Sequence, residues 1–137
     1  LLRLREHGWE VHCCNVSQGN LGSSVMPAAK TAATRRREAQ AAAKVLGATW
    51  HPPFCRDLEI FYTDANLRRV AALVRAVRPH ILLTHPPCDY MEDHTVTCRL
   101  AVTGAFARGM PNYRSQPAQP AWNGPVTIYH ATPHGLS

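Results

Sequence analysis

The sequence predicts an α/β protein with a Rossmann-like three-layer fold, in which helices pack on a mostly parallel sheet. Short runs of β-forming residues alternate with longer helical patterns, in the order strand, helix, strand, helix, strand, helix, strand. That alternation is typical of βαβ units, whose strands run parallel. In addition, residues 81–83 form a purely apolar run between Pro79 and Pro86, as expected for a short strand buried in a parallel sheet.

Length and composition indicate one globular domain over residues 1–137. The 45% hydrophobic content is ordinary for a protein of this size and is enough for a hydrophobic core. No run approaches the roughly 18 apolar residues of a membrane-spanning helix, and the first residues do not resemble a secretory signal. We therefore expect a cytoplasmic protein without a membrane span; the oligomeric state stays open, a homo-oligomer included.

Cysteine usage and charge exclude several other classes. The five cysteines are an odd number without CxxC spacing, which argues against a disulfide framework or a structural zinc knuckle and for free thiols that are buried or half-buried. The net charge of +6 is spread along the helical segments, and residues 35–37 are the only arginine run. Solvated helix faces explain these charges better than a nucleic-acid interface does.

The first half of the chain is predicted to contain a helix end, a strand, a loop, a long helix and a second strand, over residues 1–7, 9–16, 17–24, 28–46 and 48–54. Gly8 and Gly47 follow the two helical patterns and are typical helix stops. The loop contains Gly19 and Gly22, which suit either an ordinary connection or close backbone approach to a ligand. Pro52 limits the second strand to a few residues.

The second half is predicted to contain a polar bridge, a helix, a strand, a polar turn, a helix, a long loop and a strand, over residues 56–66, 67–77, 81–84, 89–94, 95–108, 110–125 and 126–131. Apolar residues at helical spacing indicate both helices. The loop carries four prolines and no periodicity, so we interpret it as a lid over a site. The loops that follow the four strands are expected to meet along one edge of the sheet.

The polar turn is the first candidate for a functional site. Asp89, Glu92 and Asp93 lie beside His94 at the point where a strand ends and a helix begins, which is the edge of a parallel sheet where ligands bind. Three carboxylates beside one imidazole suit a metal or an acid/base pair. Asp89 and Glu92 are also common turn residues, and Asp93 precedes the predicted helix, where it suits an N-cap.

Four stretches together carry a family resemblance: GWEVHCCNVSQGNLGS, TRRREAQAAAKVLGA, RPHILLTHPPCDYMEDHTVTCRLAVTGAF and VTIYHATPHG. In order and spacing the chain resembles the PIG-L/LmbE-like family of zinc-dependent N-deacetylases. The most specific parts are the spacing from Arg35 to Glu38 and the Asp93-His94 pair followed by Thr97. The resemblance implies an amide hydrolase that removes an acetyl group from an N-acetylated amino sugar of the N-acetylglucosamine type, or from its conjugate.

The resemblance also implies a zinc site, with another divalent ion as the alternative metal. In the family, zinc is held by a histidine and an aspartate of an AHPDD-type motif after the first strand and by the histidine of the DH pair, which is His94 here. The other aspartate of the motif acts as general base. The 137 residues contain no His-Pro-Asp-Asp, and His85 is followed by two prolines instead. The resemblance therefore implies a single deacetylase domain truncated at the N-terminus, with its first strand upstream of Leu1, and truncation at the C-terminus stays open as well.

Further site residues follow from the same resemblance. Asp93 is a candidate catalytic residue that orients a ligand or a protonated partner. Met91 stands where many members carry a histidine, and because a thioether cannot transfer a proton, His134 is the candidate replacement. Arg35 and Asp64 are candidate substrate-binding residues, for sugar hydroxyls or an anionic group. Without the resemblance, Arg35 would be interpreted as an exposed helix charge and His134 as a surface histidine.

Two other functional classes stay open at this stage. One is a non-catalytic α/β module that binds a sugar or another ligand and has lost the metal site. The other, with less support, is a basic nucleic-acid-binding domain, which would show steep salt dependence and no metal requirement. A chain that lacks a central strand exposes unpaired backbone groups, so these residues alone are expected to be poorly soluble or inactive.

Overall fold

The computed structural model describes residues 1–131, and the chain forms two compact units, Leu1–Ile60 and a second that begins at Phe61. The helices and strands, in chain order, are α1 (Leu2–Glu6), β1 (His12–Cys14), α2 (Ala28–Leu46), β2 (Thr49–His51), α3 (Asp64–Val77), β3 (Ile81–Thr84), α4 (Glu92–Ala107) and β4 (Thr127–His130). Within this range, no helix is both long and apolar enough to cross a membrane. The predicted α/β class with short parallel strands is confirmed.

The first unit is one βαβ crossover. Strands β1 and β2 pair in parallel, with His12 opposite Thr49, and helix α2 connects them. Helix α2 spans the predicted residues and ends at Gly47, whose φ of 66° is left-handed; glycine adopts this conformation without a steric penalty.

The second unit pairs β3 with β4 in parallel, with Ile81 opposite Thr127. Its two helices begin one turn earlier than predicted, at Asp64 and Glu92. Thr63 is the N-cap of α3, and its hydroxyl accepts a hydrogen bond from the backbone N–H of Asn66 at 3.2 Å. The predicted starts were wrong because apolar periodicity does not register the polar residues of a first helical turn.

The predicted single sheet is observed, among the described residues, as two separate two-stranded parallel sheets. A helical crossover determines that two strands run parallel, but the sequence pattern does not determine which strands are neighbours. Within residues 1–131, each strand therefore has one paired edge and one unpaired edge. The expectation that all four loops share one edge of a sheet concerns both units together and stays a prediction.

Helices α3 and α4 approach each other closely at Gly104. A Cβ atom at this position would lie 2.8 Å from Cγ1 of Val70 and 3.4 Å from the backbone N of Ala71. Both neighbours are buried, as is Leu100, one turn earlier on α4. The core of the second unit therefore depends on a residue without a side chain at this helix contact.

A buried guanidinium fixes the end of α4. Arg75 is 2% exposed, and its nitrogens donate to the backbone carbonyls of Ala107 at 3.0 Å, Arg108 at 3.0 Å, Met110 at 2.7 Å and Gln119 at 3.2 Å. The last carbonyls of a helix have no partner within the helix, and Arg75 supplies one. The sequence interpretation of the arginines as solvated helix charges is therefore wrong for Arg75.

We expect Gly104→Val to lower the free energy of unfolding by about 1–3 kcal/mol, because the added carbons would overpack the contact between the helices. Chemical denaturation measures this change. Val102→Ala, at a partly exposed position of the same helix, is the control and should change stability by less than about 0.5 kcal/mol. Equal stability of Gly104→Val and the wild type would contradict the close approach of α3 and α4.

We expect Arg75→Lys to lower the free energy of unfolding by about 3 kcal/mol. Lysine keeps the charge but cannot direct donors to four carbonyls, so buried acceptors lose their partners. Thermal and urea unfolding would show the loss, whereas Arg36→Lys, at an exposed arginine of α2, should leave the midpoint unchanged. A tolerated Arg75→Lys would mean that these carbonyls do not need the guanidinium.

Candidate functional site

The junction between β3 and α4 brings together three side chains that can ligate a metal. His85 follows the last residue of β3, Asp89 lies in the turn, and His94 lies in the first turn of α4. One nitrogen or oxygen atom from each of them lies within 4.8 Å of the other two. Among the described residues, no other cluster of three or more such groups meets this distance criterion. The turn that the sequence singled out is therefore the candidate metal centre of this chain.

Asp89 organises the cluster. Its Oδ1 accepts a hydrogen bond from the backbone N–H of Met91 at 3.0 Å, and its Oδ2 lies 3.1 Å from Nδ1 of His94. The Met91 N–H lowers the pKa of the Asp89 carboxyl, and the neighbouring histidines, His94 foremost, add to this effect. The side chain is only 4% exposed. Asp89 thus stays a carboxylate at neutral pH and links the turn to His94.

The two imidazoles lie face to face. The rings of His85 and His94 are 4.1 Å apart between centroids and inclined by 4°, and Tyr90 contacts His94 edge-on at 6.1 Å. Burial and the neighbouring His94 lower the pKa of His85, so this imidazole is neutral at neutral pH and suited to ligation. A ring nitrogen's lone pair lies in the ring plane, so one ring must rotate for both histidines to reach one ion.

A strand contact holds His85 in place. The Nδ1 of His130, at the end of β4, donates to the backbone carbonyl of His85 at 2.9 Å. The same ring nitrogen lies 3.6 Å from the sulfur of Cys98, and burial raises the pKa of that thiol. Cys98 is therefore a protonated thiol that contacts the histidine, and His130 positions the residue that follows β3.

The donor set fits a catalytic zinc site. Two imidazole nitrogens and one carboxylate oxygen are the three protein ligands of many such sites, and a fourth position stays open for water or substrate. Oδ2 of Asp89 and Nδ1 of His94 face each other at 3.1 Å, so an ion held by both groups would take the place of the proton between them. The three residues could therefore hold zinc after rotation of one ring.

The comparisons with known proteins identify the family. Residues 1–105 match the family model of PIG-L, described as GlcNAc-PI de-N-acetylase. This match covers well over half of the chain. The chain belongs to the PIG-L family.

A curated relative and three solved structures resemble this PIG-L chain. A 4-oxalmesaconate hydratase of Pseudomonas putida is 30% identical over 94% of the chain and 52% of its own length. The fold matches an N,N'-diacetylchitobiose deacetylase from Pyrococcus horikoshii with a TM-score of 0.85, at 24% identity, over 97% of this chain and 53% of that one.

The other two structures are a hydratase and a conserved protein. A 4-carboxy-2-hydroxymuconate hydratase from Pseudomonas putida matches with a TM-score of 0.78, at 28% identity, over 91% of this chain and 55% of that one. A conserved protein from Thermus thermophilus matches with a TM-score of 0.79, at 20% identity, over 99% of this chain and 58% of that one. The PIG-L chain thus spans little more than half the length of these relatives, which include a deacetylase and hydratases.

Two of the sequence-predicted residues of the PIG-L site lie near the cluster in sequence. His94 is a member of the cluster. Asp93 is buried in the first turn of α4, and the N-cap of that helix is Met91, so the predicted N-cap position for Asp93 was wrong. The catalytic role of Asp93 stays a prediction. His134 lies outside the described residues.

The predicted substrate residues have partners of their own. Asp64 is the first residue of α3, and its carboxylate lies 2.5 Å from Nε of Arg68 and accepts from the Tyr113 hydroxyl at 3.4 Å. Arg35 is two turns inside α2, and its guanidinium contacts Glu38 at 2.7 Å. Binding of substrate by Arg35 and Asp64 stays a prediction.

The glycine loop is closed by a carboxylate that the sequence did not single out. Both oxygens of Asp57 accept backbone hydrogen bonds, from Gly19 and Leu21, at 2.8 Å each. The Asn20 side chain accepts in return from the backbone N–H of Asp57 at 2.9 Å. Arg35 packs its aliphatic carbons on Gly19, where a Cβ would lie 2.8 Å from Cγ. The loop amides therefore bind the protein's own carboxylate.

The sequence analysis missed several members of these sites, and its expectation of a buried or half-buried thiol was wrong for one cysteine. The sequence pattern did not single out His85 as a ligand, and it placed Asp57 in a polar bridge and His130 in a strand. For His85 the available signal is its position directly after β3, at the predicted ligand edge. Asp57 and His130 contact partners that are distant in sequence. The five cysteines are free, as predicted, but Cys88 is exposed.

We expect Asp57→Asn to loosen the glycine loop. An amide would turn an N–H₂ group toward one of the two backbone donors, which leaves that donor unsatisfied at a cost of about 1–3 kcal/mol. Hydrogen exchange at Gly19 and Leu21 should accelerate. Glu59→Gln, which removes an exposed carboxylate paired with Arg56, is the control. Unchanged protection of both amides in Asp57→Asn would show that the carboxylate does not hold the loop.

Proposed function

We propose that this PIG-L protein is a zinc-dependent hydrolase that removes the acetyl group of an N-acetylated amino sugar, of the N-acetylglucosamine type, or of its conjugate. The observation that supports this function is the cluster of His85, Asp89 and His94 at the strand–helix junction, in a chain whose family is described as a de-N-acetylase. The structural similarity to a diacetylchitobiose deacetylase supports the fold that such a reaction uses.

The cluster suits hydrolysis of an amide. When bound with an open position, zinc lowers the pKa of a coordinated water to about 7 and polarises a carbonyl. His85, Asp89 and His94 would hold the ion. Asp93, which adjoins His94, is proposed to orient a ligand or a protonated partner from its buried position.

Recognition of the sugar is proposed for two residues. The Arg35 guanidinium is about half exposed and offers planar paired donors for hydroxyl or anionic oxygens. Asp64 is also largely exposed, although Arg68 contacts one of its oxygens. Its carboxylate can accept hydrogen bonds from sugar hydroxyls.

Hydration of an unsaturated dicarboxylic acid is the second candidate function. The curated relative with 30% identity is named a 4-oxalmesaconate hydratase, and a structure with 28% identity is a 4-carboxy-2-hydroxymuconate hydratase. Both reactions deliver a water molecule to an unsaturated carbon, so the same cluster could serve either. The two functions differ in product: a deacetylase releases acetate, and a hydratase consumes a conjugated double bond.

The test is metal content and product release in the wild type and in His94→Ala. After dialysis against metal-free buffer, we expect about one zinc per wild-type chain and almost none in His94→Ala, because removal of one of three ligands empties such a site. Acetate release from N-acetylglucosamine conjugates or N,N'-diacetylchitobiose should fall by about 100-fold or more in the variant.

His7→Ala, which removes an exposed histidine, is the matched control and should keep both zinc and activity. Hydration of 4-carboxy-2-hydroxymuconate, followed by the loss of its absorbance, without acetate release would favour the hydratase. Zinc without either reaction would favour a binding module. Equal zinc in the wild type and in His94→Ala would refute the metal centre.

A further inference from the structure

The first unit contains a second group of imidazoles that the proposed function does not use. His12 lies on β1 and His51 on β2, and the parallel register pairs Cys14 with His51. Residues in register, and residues two apart on a strand, point to the same face of a sheet. His12 and His51 are therefore diagonal neighbours on one face of the two-stranded sheet.

The two rings meet edge to edge. Nδ1 of His12 lies 2.9 Å from Nε2 of His51, while the centroids are 5.2 Å apart and the planes are inclined by 20°. Rings stacked face to face with such a short contact would have much closer centroids. The two nitrogens thus point toward each other, and only one proton fits between them.

A carboxylate determines which nitrogen of His12 carries a proton. Oε1 of Glu10 lies 2.9 Å from Nε2 of His12, so that Nε2–H donates to Glu10 and Nδ1 turns a lone pair toward His51. A carboxylate on the distal nitrogen is the usual companion of a histidine that ligates a metal, because it orients the ring and raises its basicity.

His51 is suited to the same task. Burial and the neighbouring His12 lower the pKa of His51, so the ring is neutral at neutral pH, the form that binds metal. His12 retains 22% of its side-chain exposure and Glu10 retains 81%. Water can therefore reach the pair and complete a coordination shell.

The separation of the nitrogens is close to that of a chelate. Zinc–nitrogen bonds of about 2.0–2.1 Å in a tetrahedral shell place two imidazole nitrogens roughly 3.3 Å apart. The observed 2.9 Å is a few tenths of an ångström shorter. Because the two lone pairs point along the line between the nitrogens, each ring must also tilt by roughly 35° for both lone pairs to meet one tetrahedral ion.

We propose that His12 Nδ1 and His51 Nε2 form a two-imidazole site for a borderline divalent transition-metal ion, with Glu10 orienting His12 and water in the remaining positions. Such ions favour imidazole nitrogen. With two protein ligands the site holds its ion more weakly than a three-ligand site. Added metal therefore fills the site, and dialysis removes the ion again.

The test titrates Zn²⁺ alone into the His94→Ala protein by equilibrium dialysis at neutral pH. This background disrupts the cluster at the β3–α4 junction, so the result does not depend on the proposed function. We expect about one zinc per chain at saturation, none in His94→Ala/His51→Gln, and affinity reduced by about 10- to 100-fold in His94→Ala/Glu10→Gln. His94→Ala/His7→Gln, the matched control, should bind as the parent does.

Two further measurements show whether each variant is folded and whether zinc binds at these two rings. Circular dichroism verifies that each variant is folded, and imidazole ¹⁵N correlation spectra of the parent should show zinc-induced shifts at Nδ1 of His12 and Nε2 of His51. Equal zinc binding after His51→Gln would overturn the site. No zinc binding in the parent, with a single proton shared between the two rings, would overturn it as well.

Discussion

The contact between α3 and α4 is the constraint on which the second unit depends. The buried guanidinium of Arg75 satisfies carbonyls at and beyond the end of α4, and Gly104 allows the two helix backbones to approach closely. Together they fix the axis of α4. Because His94 lies in the first turn of the same helix, the position of the candidate ligand follows from packing at its other end.

At the N-terminal end of α4, the carboxylate of Asp89 connects the turn to His94. Asp89 bonds the N-cap residue Met91 and contacts His94, so the chain enters the helix with the imidazole already oriented. His130 holds the carbonyl of His85 from the neighbouring strand. The cluster is thus held from the turn, the helix and the sheet.

In the first unit, a carboxylate of the chain itself closes the glycine loop. The glycines of its loop suit close backbone approach to a ligand, yet Asp57 occupies the loop amides. The carboxylate stabilises the loop from within and presents the neighbouring Arg35 on a defined surface. In the same unit the pair of His12 and His51 adds a second place where imidazoles converge. The likeness to PIG-L relatives accounts for the fold; the His12–His51 pair was recognised from the geometry of this chain.

The sequence by itself determined the α/β class, the long helix that ends at Gly47, and the polar turn that contains His94 and forms the candidate site. Apolar spacing, helix stops and the polar turn are local signals, and residues near one another in the chain carry them. Only the tertiary structure decided the pairing of strands, the burial of Arg75, the closure of the loop by Asp57 and the approach of His51 to His12. Each of these joins groups that are distant in sequence, and their contact depends on the packing of whole elements, which no local pattern encodes.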